Sequence, residues 1–449
     1  MLRKLLFVNF KLVYRFSQWN RQRFTSTGML ILLITPVAGL FGFDTRNTLS
    51  FHIFSIASAL LFTAIFFSLF FRGRFSIIRK LPEYGRVGTP LKYLCIICNE
   101  NKTAKRGLIL IDELKNQFPS LDHFSKTKDP LDIKRSRFDR FIGYPRLINV
   151  MQKLRGGSIT QVAIDYIPKQ SEVVTVVQLT PLRRGYLYFD KIRLAHAEPL
   201  GLFQAQKVFY NNDSLLILPR LYKTPRLNLQ SKRTCQQSGV NNASIVGDSQ
   251  EFISLRDYQP GDSIQSLHWR SFAKLNRPVI KEYQDEHSMR YGLILDTFLN
   301  KKSEVIFEDA VSITASLITA QKEHDALLDL MFISNNTCQF TSSRGLADHE
   351  KILEMLACVE PVYDSNIHQV EKMIQHYCHE CNAFICILLD LDESRLKLIK
   401  MLSILNIPAK FLLLRDLKNK DSAELIQEND VHVIHHDNLQ QELDTLWKT

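Results

Sequence analysis

Apolar residues in this chain first occur as uninterrupted blocks, then as short alternating runs, and finally as runs separated by helical periods. The first block runs from Gly28 to Phe43 and extends back to Phe24, about 20 residues with Pro36 inside it. The second, Phe51 to Phe71, is charge-free. Each has about the length a helix needs to cross a bilayer, and only Asp44 to Ser50 separate them. The pattern predicts a two-helix transmembrane hairpin, with spans near 24–43 and 51–71, inside a leader region of residues 1–80.

From residue 83 to 220 the period changes. Lys92 to Cys98, Gly107 to Ile111, Val162 to Ile167, Val173 to Leu179, Gly185 to Phe189 and Ser214 to Leu218 are β-branched or aromatic runs bounded by Gly, Pro or Asn. Several short strands at modest spacing predict an antiparallel β-sandwich. The stretch 126–154 is read as a polar insertion without an element, and 221–248, rich in Asn, Gln, Ser and Lys, as the linker. A signature segment, 249–289, follows.

Residues 290–449 read as continuous apolar strands alternating with helices. The strands are expected at Arg290 to Asp296, Ala326 to Ile333, Ala383 to Leu389, Ala409 to Leu414 and Val431 to Ile434. The helices are expected at Glu304 to Glu323, Asp348 to Cys358, Ile367 to Tyr377, Glu393 to Leu405 and Asn438 to Trp447. Such alternation predicts an α/β doubly wound unit whose parallel sheet is covered on both faces. The fold class is thus a membrane-anchored multidomain chain: two transmembrane helices, a β-sandwich, then an α/β domain.

Charge sharpens the topology and weakens a nucleic-acid reading. The chain carries a formal net charge of +11, but residues 1–80 hold eleven Lys/Arg against the single acid Asp44, so the remainder is close to neutral. Both outer flanks of the apolar pair are basic, Arg3 to Arg23 before it and Arg72, Arg74, Arg79 and Lys80 after it. The positive-inside rule then puts both termini in the cytoplasm. A cleaved signal peptide is the competing account of the first block; the basic leader is too long for one, and no small-residue cleavage site precedes the second block. A milder basic excess, thirteen bases against six acids, recurs from Lys102 to Arg155. It reads as a solvated surface or as a lipid-facing or partner-facing patch.

Eight cysteines in a chain of 449 residues, mostly in apolar runs, suit buried thiols rather than a disulfide framework. Cys378-His379-Glu380-Cys381 with nearby His376 is half of a zinc knuckle, and a structural zinc site usually takes four ligands. Cys95 and Cys98 lie in an extended run, where i and i+3 face opposite ways, so they do not complete it. Nucleophile motifs, phosphate loops and His-Glu-x-x-His are absent, which argues against an enzyme.

The least generic stretch is Glu251 to Glu282. It turns at Gln259-Pro260-Gly261-Asp262, where Pro fixes one central φ and Gly admits a positive one at the next. Arg256 and Asp262 are placed to pair across that turn, His268-Trp269-Arg270 could form a recognition patch, and Tyr258, Pro260 and Gly261 are counted with them as signature or partner-binding residues. For Trp269 the expectation is an anchor, packed against the following domain.

Leu255, Arg256, Tyr258, Pro260, Gly261, Asp262, Trp269, Ala273 and Lys274 together resemble the signature of the bacterial domain of unknown function 58 family. Arg184-Gly185-Tyr186, Glu198-Pro199-Leu200-Gly201-Leu202-Phe203 and Leu218-Pro219 resemble segments that precede it in that family. Gln265 and Lys274 stand where the family usually has Arg, and neither reproduces a bidentate fork. The resemblance implies that the last domain is similar to a von Willebrand factor type A domain. It also implies a partnership with AAA+ ATPases of the MoxR class, and so a non-enzymatic inner-membrane adaptor presenting that domain to such an ATPase or its client complex.

Domains of that type often hold a divalent metal with Asp-x-Ser-x-Ser at the end of the first strand. Here the strand ends Asp296-Thr297-Phe298-Leu299-Asn300, and Phe298 has no side-chain oxygen. Asp296 and Asn300 are the candidate ligands for Mg²⁺, with Asp390 and Asp392 at the end of a later strand. A divalent-metal-dependent enzyme using Asp296, Asp390 and Asp392, and a lipid or envelope-polymer binding module, are the alternative functions.

Overall fold

In a computed structural model the described residues are 2–42, 48–69, 71, 73–121, 124, 136–137, 143–224, 250–259, 262, 264, 267–285, 290–299, 304–321, 327–333, 337–341, 346–363, 381, 383–405, 407–415 and 431–445. They form two compact units: Met1–Arg220 with Glu354–Cys358, and Leu221–Leu353 with Val359–Thr449.

The first unit opens with three helices, α1 (Leu2–Arg23), α2 (Ser26–Gly42) and α3 (Thr48–Ser68). The basic leader is therefore helical. Phe7, Phe10 and Tyr14 recur every three or four residues along α1 and are buried, with the Lys11 ammonium over the Phe7 ring, while Leu12, Val13 and Phe16 are exposed. Within α3, Leu49–Ser68 is long and apolar enough to cross a membrane. The expected span at 24–43 is narrower than that. α2 has 17 residues with Pro36 inside, roughly 26 Å of helix against a hydrocarbon thickness of about 30 Å. α2 and α3 pack side by side, and a Cβ on Gly39 would come to 3.2 Å from the Phe54 ring.

Two sheets follow. One has the order β1 (Phe75–Lys80), β3 (Leu91–Asn99), β7 (Ser171–Pro181), β5 (Gly157–Ile159). The other has the order β2 (Tyr84–Arg86), β10 (Ser214–Leu218), β8 (Gly185–Ala197), β4 (Lys105–Leu114), β6 (Val162–Ile167), with β9 (Gln204–Tyr210) also on β8. Every pairing is antiparallel except β2 with β10. Alternation sets the register. On β7, Val177 and Leu179 enter the core while Val174 and Val176 face out. Tyr93, Ile97, Val177 and Leu179 from one sheet share a single core with Leu108, Leu110, Ile192 and Ile217 from the other.

Part of the stretch read as an insertion without an element is a helix, α4 (Tyr144–Arg155), framed by Gly143 and Gly156 at φ of 78° and 75°. Its Leu147 and Met151 pack on Phe7, Phe10 and Tyr14 of α1. Within 126–154, residues 126–135 and 138–142 lie outside the described residues.

The family-like segment Glu198 to Phe203 is a turn wound around one carboxylate. Glu198 accepts from the amides of Leu200 (2.5 Å), Leu202 (2.6 Å) and Phe203 (3.2 Å). The turn holds the start of α2: Thr25 donates its hydroxyl to the Gly201 carbonyl (2.5 Å) and its amide to the Leu202 carbonyl (3.2 Å). Phe24 meets Phe203 edge to face at 5.0 Å. A Cβ on Gly28 would lie 1.9 Å from the Leu202 oxygen, so the contact requires glycine.

The second unit holds the hairpin β11 (Gln250–Asp257) and β12 (Val279–Asp285), with α5 (Trp269–Leu275) between its strands. A six-stranded mixed sheet follows, in the order β15 (Thr337–Thr341), β14 (Leu327–Ile333), β13 (Arg290–Leu295), β16 (Ala383–Leu388), β17 (Ala409–Arg415), β18 (Val431–His435). All neighbours are parallel except the edge strand β15. Every residue of β16 is buried, as a strand covered on both faces requires. The described helices that follow β12 in the chain are α6 (Glu304–Gln321), α7 (Leu346–Cys358, whose Glu354–Cys358 group with the first unit), α8 (Glu393–Ile404) and α9 (Leu439–Thr445).

α6 is buried along most of its length although it carries four hydroxyls. Ser312, Thr314, Ser316 and Thr319 each satisfy theirs on the carbonyl four residues back, at 2.6–2.8 Å. The expected linker 221–248 starts inside this unit: the Tyr222 amide donates to Ser316 Oγ at 2.8 Å, and Lys223 exchanges two hydrogen bonds with Gln440. Residues 225–249 and the helix expected at Ile367 to Tyr377 lie outside the described residues.

Candidate functional site

Two places in the second unit carry the residues singled out from the sequence. The first is the signature hairpin. Strands β11 and β12 pair Arg256 with Ile280 and Asp257 with Val279. The Arg256 guanidinium donates to both Asp262 oxygens, Nη1 at 2.8 Å and Nη2 at 2.7 Å. Asp262 Oδ2 also accepts from the Gln259 amide at 2.8 Å, and the Asp262 amide donates to the Gln259 carbonyl at 3.1 Å. Those bonds, the Arg256 fork first and the Gln259 amide second, hold the Asp262 carboxyl below the usual carboxylate range. Pro260, Gly261 and Gln265 lie outside the described residues.

Beyond the clasp, the His268 amide donates to the Val279 carbonyl (2.8 Å), and His268 Nδ1 pairs with Ser271 Oγ (2.6 Å). These bonds fix the start of α5. Its end is fixed by Asn276, which caps it at a φ of 51° and donates its amide to the Phe272 carbonyl. Trp269 does not fill the anchor role expected of it. It is 62% exposed and meets only Phe272 edge to face, at 6.2 Å, among the ring contacts of the described residues. Ile264, Phe272 and Leu275 are exposed with it, as are Tyr258 and Arg270. The buried residues are instead Val279 and Ile280 on β12. A seven-residue helix between two fixed ends has one face to bury, and here that face is turned outward.

The second place is the carboxyl edge of the parallel sheet. Asp296 follows β13, and its carboxylate is fully engaged. Oδ1 accepts from the Phe298 amide (3.0 Å), and Oδ2 from the Leu389 amide (3.0 Å) and from Arg395 Nε (2.6 Å). Arg395, 1% exposed, comes from the first turn of α8. Its Nη1 donates to Asp392 Oδ2 (2.7 Å) and its Nη2 to the Phe298 carbonyl (2.7 Å). Asp392 also caps α8, accepting from the Arg395 amide at 2.9 Å. Burial alone would make Arg395 easier to deprotonate, but Asp296 and Asp392 outweigh it and hold the charge on.

A guanidinium thus sits where a strand-end cation would. A hard divalent ion asks for about six oxygen ligands, while Asp296 has given its oxygens to Arg395 and two amides, and Phe298 offers only a carbonyl already taken by Arg395. The residues do not fit a metal with Arg395 in place. Asp390 accepts from the Leu391 amide next to it, and Asn300 lies outside the described residues. Among the described residues no group of three or more His, Cys, Asp or Glu is arranged for a metal ion.

Of the knuckle-like residues, Cys381 is buried, with its thiol 3.9 Å from Asp329 Oδ2; His376, Cys378, His379 and Glu380 lie outside the described residues. Cys95 and Cys98 do face opposite sides of β3. Burial, then the charge of Asp112, pushes the Cys95 thiol up to about 12, so it is inert at neutral pH.

Sequence reasoning missed Arg395, which reads as one more base on an amphipathic helix 99 residues from Asp296. It also missed a buried network in the first unit. There Arg79 donates Nε (2.9 Å) and Nη2 (2.7 Å) to Asp112 and Nη1 to Asp213 (2.6 Å), stacks 4.4 Å from the Phe189 ring centre, and shares Asp112 with the Tyr93 hydroxyl (2.6 Å). In the sequence Arg79 reads as part of the basic flank of the second apolar block.

Residues 254–397 match the family described as "Protein of unknown function DUF58". The "Uncharacterized protein YeaD" of Bacillus subtilis (strain 168) is 28% identical over 182 residues, 40% of this chain and 44% of that protein. The chain therefore matches less than half of that relative's length. Among solved structures, the solution structure of a protein described as late embryogenesis abundant covers 36% of this chain and 84% of its own at 11% identity. Its TM-score is 0.17.

Proposed function

We propose, from the premise that this chain is a DUF58-family protein, that it is a non-enzymatic adaptor tethered to the bacterial inner membrane. In this reading α2 and α3 form the multi-pass anchor, both termini are cytoplasmic, and the second unit, similar to a von Willebrand factor type A domain, is presented to a MoxR-class AAA+ ATPase or its client complex.

The observation that carries the reading is the outward aromatic face of the signature: Trp269 at 62% exposure beside Phe272 and Leu275, on a helix fixed at both ends. Apolar side chains held rigidly in water, with a polar clasp beside them, have the chemistry of a protein-docking face. Tethering would raise the effective concentration of whatever docks there. The alternative, a divalent-metal-dependent enzyme at Asp296, would have to displace the Arg395 guanidinium first.

A pull-down of the full-length tagged chain from native membranes, with and without ATP, tests the reading. Expected is an AAA+ ATPase that co-purifies in a nucleotide-dependent way and is lost in Trp269→Ala/Phe272→Ala. Recovery of no ATPase would sink the adaptor reading; an ATPase retained by the double variant would move the docking face elsewhere.

A further inference from the structure

The first unit contains a polar cavity of about 230 Å³, where the last turns of α1 meet the sheet around β4 and β8. Arg21, Gln22, Glu113, Asn116, Arg155 and Arg193 line it. Its space would take several waters at about 30 Å³ each, or one phosphoryl group with its oxygens.

Its charges do not cancel. Glu113 is the carboxylate nearest to hand, but it is already shared by Arg193, by Lys191 at 3.7 Å and by the Gln22 amide at 3.2 Å. Asp112, also at the wall, is turned to Arg79 and Tyr93. Arg155 finds only neutral partners among the described residues, Asn116 at 3.0 Å and the Tyr14 hydroxyl at 3.3 Å. No carboxylate of the described residues pairs with Arg21.

Arg193 is the deepest of the three, with a side chain 5% exposed. Its Nη2 serves Glu113 and its Nη1 serves Gln206 at 3.3 Å, yet its Nε is buried with no hydrogen-bond partner among the described residues. A buried donor on a charged group is almost always satisfied, by protein, water or ligand. Burial, with Arg23 pushing the same way, makes its proton easier to lose than usual despite Glu113, as for a cation short of negative charge.

From this convergence we infer that the cavity is a binding site for a phosphate oxyanion, either the headgroup of an anionic phospholipid or a free phosphate. Guanidinium forks match tetrahedral oxyanions through paired charge-assisted hydrogen bonds, and the Asn116 side-chain amide can add a neutral donor. The location fits the lipid source. Gln18, Arg21 and Gln22, on the cavity wall, precede the first residue of α2 by only four to eight positions. Only the lipid arm rests on the membrane-tethered reading above; the cavity's own chemistry does not.

The test uses the full-length chain in detergent with two probes. Inorganic phosphate is titrated against thermal melting at constant ionic strength, and phosphatidylglycerol is compared with phosphatidylcholine by native mass spectrometry. Arg21→Gln/Arg155→Gln changes the rim, where both side chains reach solvent, so folding should survive; Arg193→Gln is the buried counterpart and is interpreted only alongside the rim variant. Expected is saturable stabilisation by phosphate, selective retention of phosphatidylglycerol, or both, with apparent affinity reduced about tenfold or more in the rim variant. A response to phosphate alone identifies a free anion as occupant, and retention of phosphatidylglycerol alone identifies a headgroup. Equal retention of the two lipids with no phosphate effect, or binding unchanged in the rim variant, overturns the inference. The ATPase pull-down should not change in the rim variant, which keeps the two readings separable.

Discussion

Arg256 with Asp262 and Arg395 with Asp296 are the same two residue types at nearly the same distance, 2.7 Å and 2.6 Å, but their surroundings give them opposite roles. The first pair lies at the surface of the signature hairpin, with side chains 39% and 20% exposed. The second is closed inside the α/β unit, at 1% and 5%. In water a guanidinium and a carboxylate lose almost as much hydration as they gain in attraction, so the hairpin pair shapes a turn without holding the fold together. Away from water, neither partner of the buried pair can lose the other without leaving an uncompensated charge. One pair arranges what is displayed, and the other closes the sheet edge.

The comparison breaks most visibly at Arg395. Arg395→Ala should lower stability by about 3–5 kcal/mol, read as a drop in urea midpoint with loss of hydrogen-exchange protection in β13 and β16. The same variant asks whether Asp296 retains any capacity for a cation. If millimolar Mg²⁺ restores the variant but leaves the parent chain unaffected, the guanidinium stands in for a metal; no restoration leaves Asp296 a purely structural acid.

A smaller effect is expected beside it at Gly292, where a Cβ would come within 2.3 Å of the buried Phe384 ring. Gly292→Ala should cost about 1–3 kcal/mol by overpacking. A neutral result would mean that the ring has room to tilt.

The hairpin pair should respond to pH instead. Because the folded Asp262 carboxyl is held below its usual value, its contribution is present in full above the ordinary carboxylate value near pH 3.9 and is lost as pH falls through the lower folded value. Exchange protection at the Asp262 amide, corrected for intrinsic rates, should fall over that window while the protection of β16 holds. Parallel loss in both would erase the distinction between the two pairs. Least of all should Trp269→Ala move stability, by no more than about 0.5 kcal/mol, because its ring is largely in water. A larger loss would show that the ring supports the fold after all.

What the sequence made legible follows from the reach of each interaction. Val162–Ile167, Glu304–Gln321, Ala383–Leu388 and Glu393–Ile404 lie within two residues of the limits that periodicity predicts, because burial of a face is written every two or every three to four positions. The amphipathic α1 was masked by its charge, since six bases draw attention from Phe7, Phe10 and Tyr14. β9 and the edge strand β15 carry mixed polar sequences, Gln204–Tyr210 and Thr337–Thr341, with no clean apolar alternation; each is held by hairpin pairing to the strand just before it, Ala197 with Gln204 and Ile333 with Thr337.

At the site, the Arg256 and Asp262 clasp was readable because six residues separate its partners. Arg395 with Asp296, and Arg79 with Asp112 and Asp213, join positions from 33 to 134 residues apart, and no local pattern records them. Trp269 shows the opposite failure. A general preference of Trp for burial spoke clearly, and the fixed ends of a seven-residue helix overrode it.

The turn wound around Glu198 has a mechanical meaning. Thr25, Phe24 and Gly28 fasten the root of α2 to Gly201, Leu202 and Phe203 with hydrogen bonds and an aromatic contact. A helix joined to a folded body by a free linker lets that body swing through a volume set by linker length. Here the joint is a bracket. In the proposed membrane-tethered arrangement, the two-sheet body would take up a fixed tilt and height above the lipid, and any side chain added at Gly28 would work that bracket loose.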